Sequence, residues 1–426
     1  MNGAELTSAA LPHLMVVYGT GAASPTEILT AAAGLCRVTF AMPSDDPVVN
    51  QVERVVGTRA EFIRFDGEAE LKRYLTELAP TLLTTFAEDL LEVTAAAAAG
   101  SGLAMDSPAT VEALRDKVEQ RQLLARAGLA VPWFKRIRRD EVASAYLAAP
   151  VPALVLKPAA GSGSLHTYRV AEPLPVPGMD LTQLPDVDYI LEEELAGAPT
   201  GHESVGDYGS VEMISVRGEH TPLAVVGRFP VVAPFRERGG FHPSAWSGAE
   251  KAEMSRLAVE ALRALGVSDG LSHVEIKRGP DGPRIIEVNG RLGGNVAALL
   301  ARSAGTDLVR EWLSCALSAA VGRTKRPMPV REDAARLCYR WCLYADGEQP
   351  GVLREIRGLP QLRGLPHVER LSILKRRGEV IDWRAGTASA VVVVDGSVGD
   401  FDELDHVHRE LSEIGSVVLE PVSGDR

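Results

Sequence analysis

The residues best suited to chemistry lie in one stretch, residues 272–295, where polar side chains alternate on both sides of a turn. The turn is the Gly-Pro-Asp-Gly-Pro run at 279–283, and side chains two positions apart on a strand share a face. If this five-residue loop closes the hairpin symmetrically, Glu275 faces Glu287, while Ile286 points the other way into a core. The residues of the polar face are His273, Glu275 and Lys277 on the first strand and Glu287, Asn289 and Arg291 on the second.

Two facing carboxylates predict a bound cation, because like charges directly opposite each other destabilise a sheet. Mg²⁺ prefers oxygen ligands, and the two carboxylates and the Asn289 amide oxygen supply them. Arg291 shares this face, where its planar guanidinium can grip a phosphoryl group. The same register sets His273 opposite Asn289. The alternative interpretation is an exposed hairpin whose polar face meets only water.

Three earlier stretches carry residue types that bind phosphates or purines. Lys117 lies in a helical pattern over 111–128, and Lys157 ends an apolar strand that is followed by the Gly-Ser-Gly-Ser run at 161–164. The backbone amides and hydroxyls of such a loop can close over phosphate oxygens. The run 188–195 is a strand that ends in three acids. Taken alone, Lys117 is more typical of a solvated helix charge and the loop of a flexible surface turn, while the three acids are equally typical of a solvated face.

The hairpin motifs resemble those of the ATP-grasp ligases. The run RIIEVNGRLGG at 284–294 is similar to their metal and phosphate motif, and HVEIK at 273–277 looks like their other metal-bearing strand. The resemblance spans residues 117–295 and implies ATP and Mg²⁺ as cofactors, with Arg291 as the catalytic residue. The nucleotide-binding residues that it implies are Lys117 and Lys157 on the phosphates, Ser162, Gly163 and Ser164 in a covering loop, and Glu192, Glu193 and Leu195 at the adenine ring.

A second set of residues is predicted to contact the substrate. Ser-Val-Glu at 210–212 is similar to a segment of the ATP-grasp ligases that join amino acids, which implies that its glutamate lies near the amino-acid site. The Pro/Gly-broken stretch 230–246 is suited to a loop that shapes a pocket. In related ligases a larger residue often stands at position 295 beside the substrate. The candidate substrate residues are Glu212, Arg228, His242, His273 and Asn295.

The resemblance implies an α/β protein with the ATP-grasp fold, in which two lobes clasp ATP behind an N-terminal doubly wound α/β domain. The predicted domains are an N-terminal α/β domain at 1–112, a small lobe with the covering loop at 113–190, a large lobe with the metal-binding hairpin at 191–327, and a C-terminal portion at 328–426 that completes the substrate lobe. Within the later domains the patterns predict helices over 295–317 and 401–414 and strands over 337–343 and 390–394.

These motifs together predict an ATP-dependent carboxylate-amine ligase, closest to the dipeptide-forming L-amino acid ligases. It would activate a carboxylate as an acyl phosphate and release ADP and phosphate. The alternatives are a D-alanine-type or carboxylating ligase with the same ATP chemistry, and a nucleotide-binding protein without turnover. A dinucleotide-binding role would rest on Gly19 and Gly21 alone, because Ser24 stands where the third glycine of that motif belongs.

Composition limits the classes of partner. The formal net charge of −12 argues against nonspecific binding to nucleic acid or to an anionic membrane, and the apolar runs are too short to span a bilayer. We therefore expect a cytoplasmic protein that acts on small-molecule amino acids or amines, and a homodimer is compatible with this reading. The four cysteines lack common zinc spacing and are expected to be reduced and buried.

Overall fold

The N-terminal part of the chain alternates strands and helices. The computed structural model describes residues 11–170, 184–332 and 335–421. The first elements are β1 (His13–Val17), α1 (Pro25–Ala32), β2 (Arg37–Pro43), α2 (Val49–Val56), β3 (Glu61–Phe65), α3 (Gly67–Leu78), β4 (Leu82–Thr84) and α4 (Leu91–Ala98). The four strands form a parallel sheet in the order β3-β2-β1-β4, as a doubly wound unit requires.

The glycine turn after β1 serves packing in this sheet. A Cβ atom on Gly21 would overlap the carbonyl oxygen of Phe86, and the Ala22 N–H donates a hydrogen bond of 3.0 Å to that same oxygen. Ser24, which replaces the third glycine of a dinucleotide motif, caps α1 reciprocally with Glu27. These contacts give Gly21 and Ser24 structural roles in packing and capping.

A small antiparallel sheet follows. Its part of the chain contains α5 (Pro108–Arg115), α6 (Lys117–Arg126), β5 (Phe134–Ile137), α7 (Val142–Leu147), β6 (Leu154–Pro158), β7 (Tyr168–Val170) and β8 (Tyr189–Glu193), with the strand order β5-β8-β6-β7. The single helix predicted over 111–128 is wrong. Asp116 has extended backbone angles and its side chain accepts hydrogen bonds from the N–H groups of Val118 and Glu119, so it ends α5 and caps α6.

The largest sheet is built from two separate stretches of chain. The first stretch supplies β9 (Tyr208–Val216), β10 (Glu219–Arg228), β11 (Gly239–His242), α8 (Gly248–Ala264), β12 (Gly270–Gly279), β13 (Gly282–Asn289), α9 (Val296–Ala304) and α10 (Leu308–Ala320). The segment 230–246, predicted as a loop, therefore contains a strand. The helix predicted over 295–317 is two helices, because Gly305 adopts a left-handed φ of 67° and Asp307 caps α10.

The C-terminal stretch completes this sheet. Its elements are β14 (Leu337–Leu343), β15 (Gly351–Arg357), α11 (Leu359–Gly364), β16 (Val368–Ile373), β17 (Val380–Ile381), a 3₁₀ turn (Trp383–Ser389), β18 (Val392–Val398), α12 (Phe401–Ile414) and β19 (Ser416–Pro421). The strand order of the eight-stranded sheet is β13-β12-β9-β10-β11-β14-β18-β16. A separate three-stranded sheet has the order β17-β15-β19.

The predicted α/β class is thus confirmed, and the patterns at 337–343 and 401–414 predicted β14 and α12 with the observed bounds. The strand predicted over 390–394 is β18, which begins two residues later. The division into four domains stays a prediction. In the described part of the chain, no helix is both long enough and apolar enough to cross a membrane. All four cysteines are free and buried, as expected.

Candidate active site

The hairpin of β12 and β13 has the predicted pairing, with Glu275 opposite Glu287 and His273 opposite Asn289. The route to this register differs from the prediction. Gly279 pairs with Gly282, so the turn has two residues at its tip, and an extra residue in β13 restores the register next to Glu275.

That bulge also exchanges the roles of two isoleucines. Ile285, which is 2% exposed, takes the core position that was predicted for Ile286. Ile286 instead lines the cleft on which the polar face of the hairpin opens. The prediction that Ile286 is a core residue is therefore wrong, and the bulge is the physical reason.

This cleft lies between the small sheet, which is the four-stranded antiparallel sheet β5-β8-β6-β7, and the eight-stranded sheet. Its volume is about 730 Å³, within the range of small-molecule sites. Elements far apart in sequence meet there, including α6, β6, β8, β12 and β13. The predicted residues that line it are Lys117, Lys157, Ser162, Gly163, Ser164, Glu192, Glu193, Leu195, Glu275, Glu287, Asn289 and Arg291.

Two buried lysines bring positive charge into the cleft. Lys117 Nζ lies 3.1 Å from Glu287 Oε1 and donates a hydrogen bond of 2.5 Å to the Gly161 carbonyl oxygen. Lys157 Nζ lies 2.7 Å from Glu192 Oε1. Because an ammonium group has three donors, each lysine can also bind a phosphate oxygen while it keeps its carboxylate partner.

Arg121 is a cleft residue that the sequence analysis missed. Its Nε donates to Glu192 Oε2 at 2.9 Å, and its Nη2 donates to the Ile286 carbonyl oxygen at 2.6 Å. Burial alone would raise the pKa of Glu192, but the charges of Arg121 and Lys157 outweigh it and lower that pKa to about 2. A signal was present in the sequence, since Arg121 is four residues after Lys117 and therefore lies on the same face of α6.

The donor set at the hairpin fits Mg²⁺. Glu275, Glu287 and Asn289 offer oxygen ligands from adjacent strands, and both carboxylates line the cleft. Burial raises the pKa of Glu275, but the hydrogen bond from His273 and the positive charges around it lower that pKa to about 2. Glu275 is therefore a carboxylate at neutral pH, the form that a metal ion requires.

The side chain of Arg291 is held by one ion pair and one hydrogen bond. Its Nε lies 2.7 Å from Glu88 Oε2, and its Nη2 donates to Asn289 Oδ1 at 3.4 Å. Glu88 follows β4 in the N-terminal part of the chain, so that part helps to orient the predicted catalytic residue. Nothing in the local sequence around Glu88 could have revealed this contact.

Among the described residues, the predicted substrate residues do not line the cleft. Three of them form a buried cluster beside it. His273 Nδ1 lies 2.7 Å from Glu212 Oε1, and Arg228 Nη2 lies 3.4 Å from His273 Nε2. Arg228 also pairs with Glu237. Burial lowers the pKa of His273, but Glu212 outweighs it and raises that pKa to about 9.

The other two substrate candidates make different contacts. His242 is fully buried, with Nδ1 2.8 Å from the Ser303 hydroxyl and Nε2 3.6 Å from Glu332. Asn295 adopts a left-handed φ of 63° directly before α9, and its side chain accepts a hydrogen bond from Arg340. The stretch 230–246 does shape the cleft, through residues such as Pro230 and Phe235.

Comparison with known proteins matches residues 114–295 to the ATP-grasp domain. Carnosine synthase 1 of Gallus gallus is 29% identical over 168 residues, which are 39% of this chain and 18% of that protein. An uncharacterized protein of Sinorhizobium fredii, y4rH, is 28% identical over 279 residues, which are 64% of this chain and 55% of that protein. The chain therefore spans less than two thirds of the length of either relative.

Solved structures are similar over nearly the whole chain. An L-amino acid ligase from Bacillus licheniformis has a TM-score of 0.71 at 19% identity and covers 97% of this chain and 100% of its own. N5-carboxyaminoimidazole ribonucleotide synthetase from Thermotoga maritima has a TM-score of 0.64 at 14% identity, with 96% and 100% covered. At these identities the likeness establishes the fold.

Proposed function

Because residues 114–295 of this chain belong to the ATP-grasp family, we propose that the protein is an ATP-dependent ligase that joins a carboxylate to an amine. The finer proposal is that both substrates are amino acids, so that the product is a dipeptide or a related amide. ATP and Mg²⁺ are the proposed cofactors, and ADP and phosphate are the proposed by-products. The partners are small molecules.

One observation carries the proposal. Glu275 and Glu287 face each other across β12 and β13 in a cleft that also contains Lys117, Lys157 and Arg291. Facing carboxylates beside several cations form a site for a triphosphate with its metal, since phosphates carry the negative charge that the lysines and the arginine can bind. A nucleotide-binding module without turnover would have less need of all five groups.

The residues act mainly through charge and position. Bound Mg²⁺ supplies positive charge that neutralises the phosphate oxygens. Lys117 and Lys157 hold phosphate oxygens from the side of the small sheet, and Arg291, oriented by Glu88, stabilises the charge on the γ-phosphoryl group. The cleft walls align a substrate carboxylate with that group.

The chemical balance has two steps. A carboxylate oxygen of the first substrate attacks the γ-phosphorus, the bond to the β-phosphate oxygen breaks, and ADP leaves. The amine of the second substrate then attacks the acyl carbon of the acyl phosphate, loses a proton and expels phosphate. Cleavage of ATP thus drives the formation of an amide, which is unfavourable in water.

The choice of amino acids is supported by the likeness to an L-amino acid ligase and to carnosine synthase 1. A carboxylating ligase is the second candidate, favoured by the likeness to N5-carboxyaminoimidazole ribonucleotide synthetase. Both would form a phosphorylated carboxyl intermediate in the same cleft. They differ in whether bicarbonate or an amino acid is the carboxyl donor.

The test is a screen for ADP formation. Purified protein with Mg²⁺ and ATP is given pairs of amino acids in one series, and bicarbonate with small amines in another, with the Glu287→Gln variant as the blank for each. We expect ADP above the blank with some amino-acid pairs, together with a condensed product in mass spectrometry. ADP with bicarbonate alone would favour the carboxylating ligase. No ADP from any mixture, with tight ATP binding, would contradict the ligase proposal.

A further inference from the structure

The covering loop of the cleft is fastened by a distant piece of the chain. We call residues 160–166 the phosphate loop and the 3₁₀ turn Trp383–Ser389 the latch segment. The Thr387 N–H donates a hydrogen bond of 2.8 Å to the Gly163 carbonyl oxygen, and the Thr387 hydroxyl donates to the same oxygen at 3.0 Å. A third hydrogen bond of 2.8 Å runs from the His166 N–H to the Arg384 carbonyl oxygen.

The latch segment is rigidly attached to the small sheet. Trp383 is 5% exposed and packs in the core that covers this sheet, although it lies more than 200 residues after β6 in sequence. Its ring meets that of Tyr168 edge-on, with the centroids 5.5 Å apart. Thr387, four residues later, also lines the cleft. The latch segment therefore connects Trp383, which is buried in the core of the small sheet, to Thr387, which lines the cleft.

The phosphate loop has a conformation that needs external support. Ser164 and His166 have left-handed φ angles of 57° and 46°, which residues with a Cβ atom adopt at a cost. Gly161 and Gly163 have positive φ angles of 131° and 66°. Few of these residues would keep such angles in a free loop, so the contacts on either side of the loop determine its shape.

Those contacts come from two directions. Lys117 holds the Gly161 carbonyl oxygen at one end of the loop, and Thr387 holds the Gly163 carbonyl oxygen in the middle. Gly386 allows the latch segment to come this close to Gly163, since a Cβ atom on Gly386 would overlap the Gly163 carbonyl oxygen and Ser164. These two contacts fix the backbone of the loop where it lines the cleft, and backbone N–H groups of such a loop can donate to phosphate oxygens.

We propose that Thr387 is a positioning residue that fixes the phosphate loop over the ATP phosphates, so that the C-terminal latch segment controls how tightly the triphosphate is held. This inference rests on the proposed function, because it assigns the loop to ATP. Its effect is on the affinity for the phosphate tail and leaves the affinity for the purine and ribose unchanged.

The test compares Thr387→Val, which removes the hydroxyl donor, with Thr387→Ser, which keeps it. Calorimetry with Mg²⁺ measures the dissociation constants of ATP and of AMP for each variant. We expect Thr387→Val to weaken ATP binding by about 3- to 10-fold, the value of one hydrogen bond, and to leave AMP binding unchanged. Thr387→Ser should bind ATP as the wild type does. A general folding defect would weaken the binding of both ATP and AMP.

A glycine pair provides a second, matched comparison. Gly386 has φ 59° and ψ −130°, and Gly57 has nearly the same angles, φ 55° and ψ −132°. A Cβ atom on Gly57 would meet only an oxygen at 3.6 Å, so Gly57→Ala reproduces the backbone strain without the overlap. We expect Gly386→Ala to weaken ATP binding at least 10-fold, and Gly57→Ala to have the wild-type dissociation constant.

The outcomes separate the two proposals. Wild-type ATP binding in both Thr387→Val and Gly386→Ala would overturn the latch. If Gly386→Ala does not fold, judged by circular dichroism, the Thr387→Val and Thr387→Ser pair decides alone. A wild type that binds ATP but forms no ADP with any substrate would contradict the ligase while the binding comparison still tests the latch. A wild type that does not bind ATP overturns the latch as well.

Discussion

Two groups of charged residues on one face of the eight-stranded sheet have similar chemistry and opposite surroundings. The cleft group contains Glu275 and Glu287, whose side chains are 29% and 16% exposed. The buried group contains Glu212 and His273, whose side chains are 1% and 4% exposed, with Arg228 beside them. The two groups touch, since His273 Nε2 lies 3.4 Å from Glu275 Oε1.

The difference lies in what neutralises each charge. In the buried group the carboxylate of Glu212 meets a histidine of the protein itself, and the interaction holds β9 to β12. In the cleft group two carboxylates face each other, Lys117 pairs with one of them, Glu287, and both side chains open on the cleft, where a cation can reach them. In this sheet, residue type alone therefore does not tell which charged residues serve stability and which serve activity. What distinguishes them is whether their side chains open on the cleft.

The largest expected effect is on rate, at Glu287. The Glu287→Gln variant should form ADP roughly 100- to 1,000-fold more slowly, because it loses a charge that positions the metal and phosphates. Its urea midpoint should fall little, since the substitution relieves the repulsion with Glu275, and Lys117 keeps its hydrogen bond to the Gly161 carbonyl oxygen at the edge of the cleft. Steady-state ADP assays and urea denaturation of the same preparation check both parts. A variant with wild-type turnover would show that the hairpin does not hold the metal.

The next effect is on stability, at Glu212. The Glu212→Gln variant should lose about 3 kcal/mol of unfolding free energy, because it leaves the positive charge of His273 buried without its nearest carboxylate, while Arg228 keeps its pair with Glu237. Urea denaturation measures the loss. The comparison with Glu287→Gln is decisive: if both variants were equally stable, the distinction between the buried group and the cleft group would be wrong.

A nucleotide bound in the cleft should stabilise the folded protein only when the residues of the cleft group are intact. At 100 times its dissociation constant, ADP with Mg²⁺ should add about 2.7 kcal/mol to the stability of the wild type and raise its melting temperature. The increase should disappear with a chelator and in Glu287→Gln, and it should persist in any Glu212→Gln protein that remains folded. A melting shift that survives chelation would mean that nucleotide binding does not need the metal.

The smallest effect is expected for an exposed ion pair, which gives a baseline for both groups. Arg256 and Glu260 lie 2.9 Å apart on α8 with side chains 61% and 38% exposed. Arg256→Ala should change the unfolding free energy by only about 0.3–0.5 kcal/mol, because solvent screens the pair. A loss close to that of Glu212→Gln would show that burial does not determine how much a charge pair contributes to the unfolding free energy.

Local patterns predicted much of the site. Alternation along β12 and β13 placed Glu275 and Glu287 on one face, although their pairing came from a bulge and not from the predicted five-residue loop. The apolar strand before Gly161 led directly to Lys157. These features depend on residues close in sequence, whose geometry follows from the strand repeat. The bulge at Ile286 was not predictable in this way, since one extra residue leaves no mark in the pattern.

Contacts between distant parts of the chain could not be predicted. Glu88 meets Arg291, and Thr387 meets Gly163, across more than 200 residues in each case. Such partners are selected by the packing of whole sheets, which a single sequence does not reveal. The packing of the sheets also decides that none of the five substrate candidates lines the cleft. The break at Asp116 was predictable, because an aspartate with its carboxylate free to cap is a common start of a helix.

The composition of the eight-stranded sheet has a consequence for synthesis. Strand β11 pairs on one side with β10 and on the other with β14, which begins about 100 residues after β11 ends. At 5–20 residues per second, a ribosome needs roughly 5–20 s to supply β14. Until then the outer edge of β11 lacks its partner strand, and an unpaired strand edge is a site at which chains can aggregate.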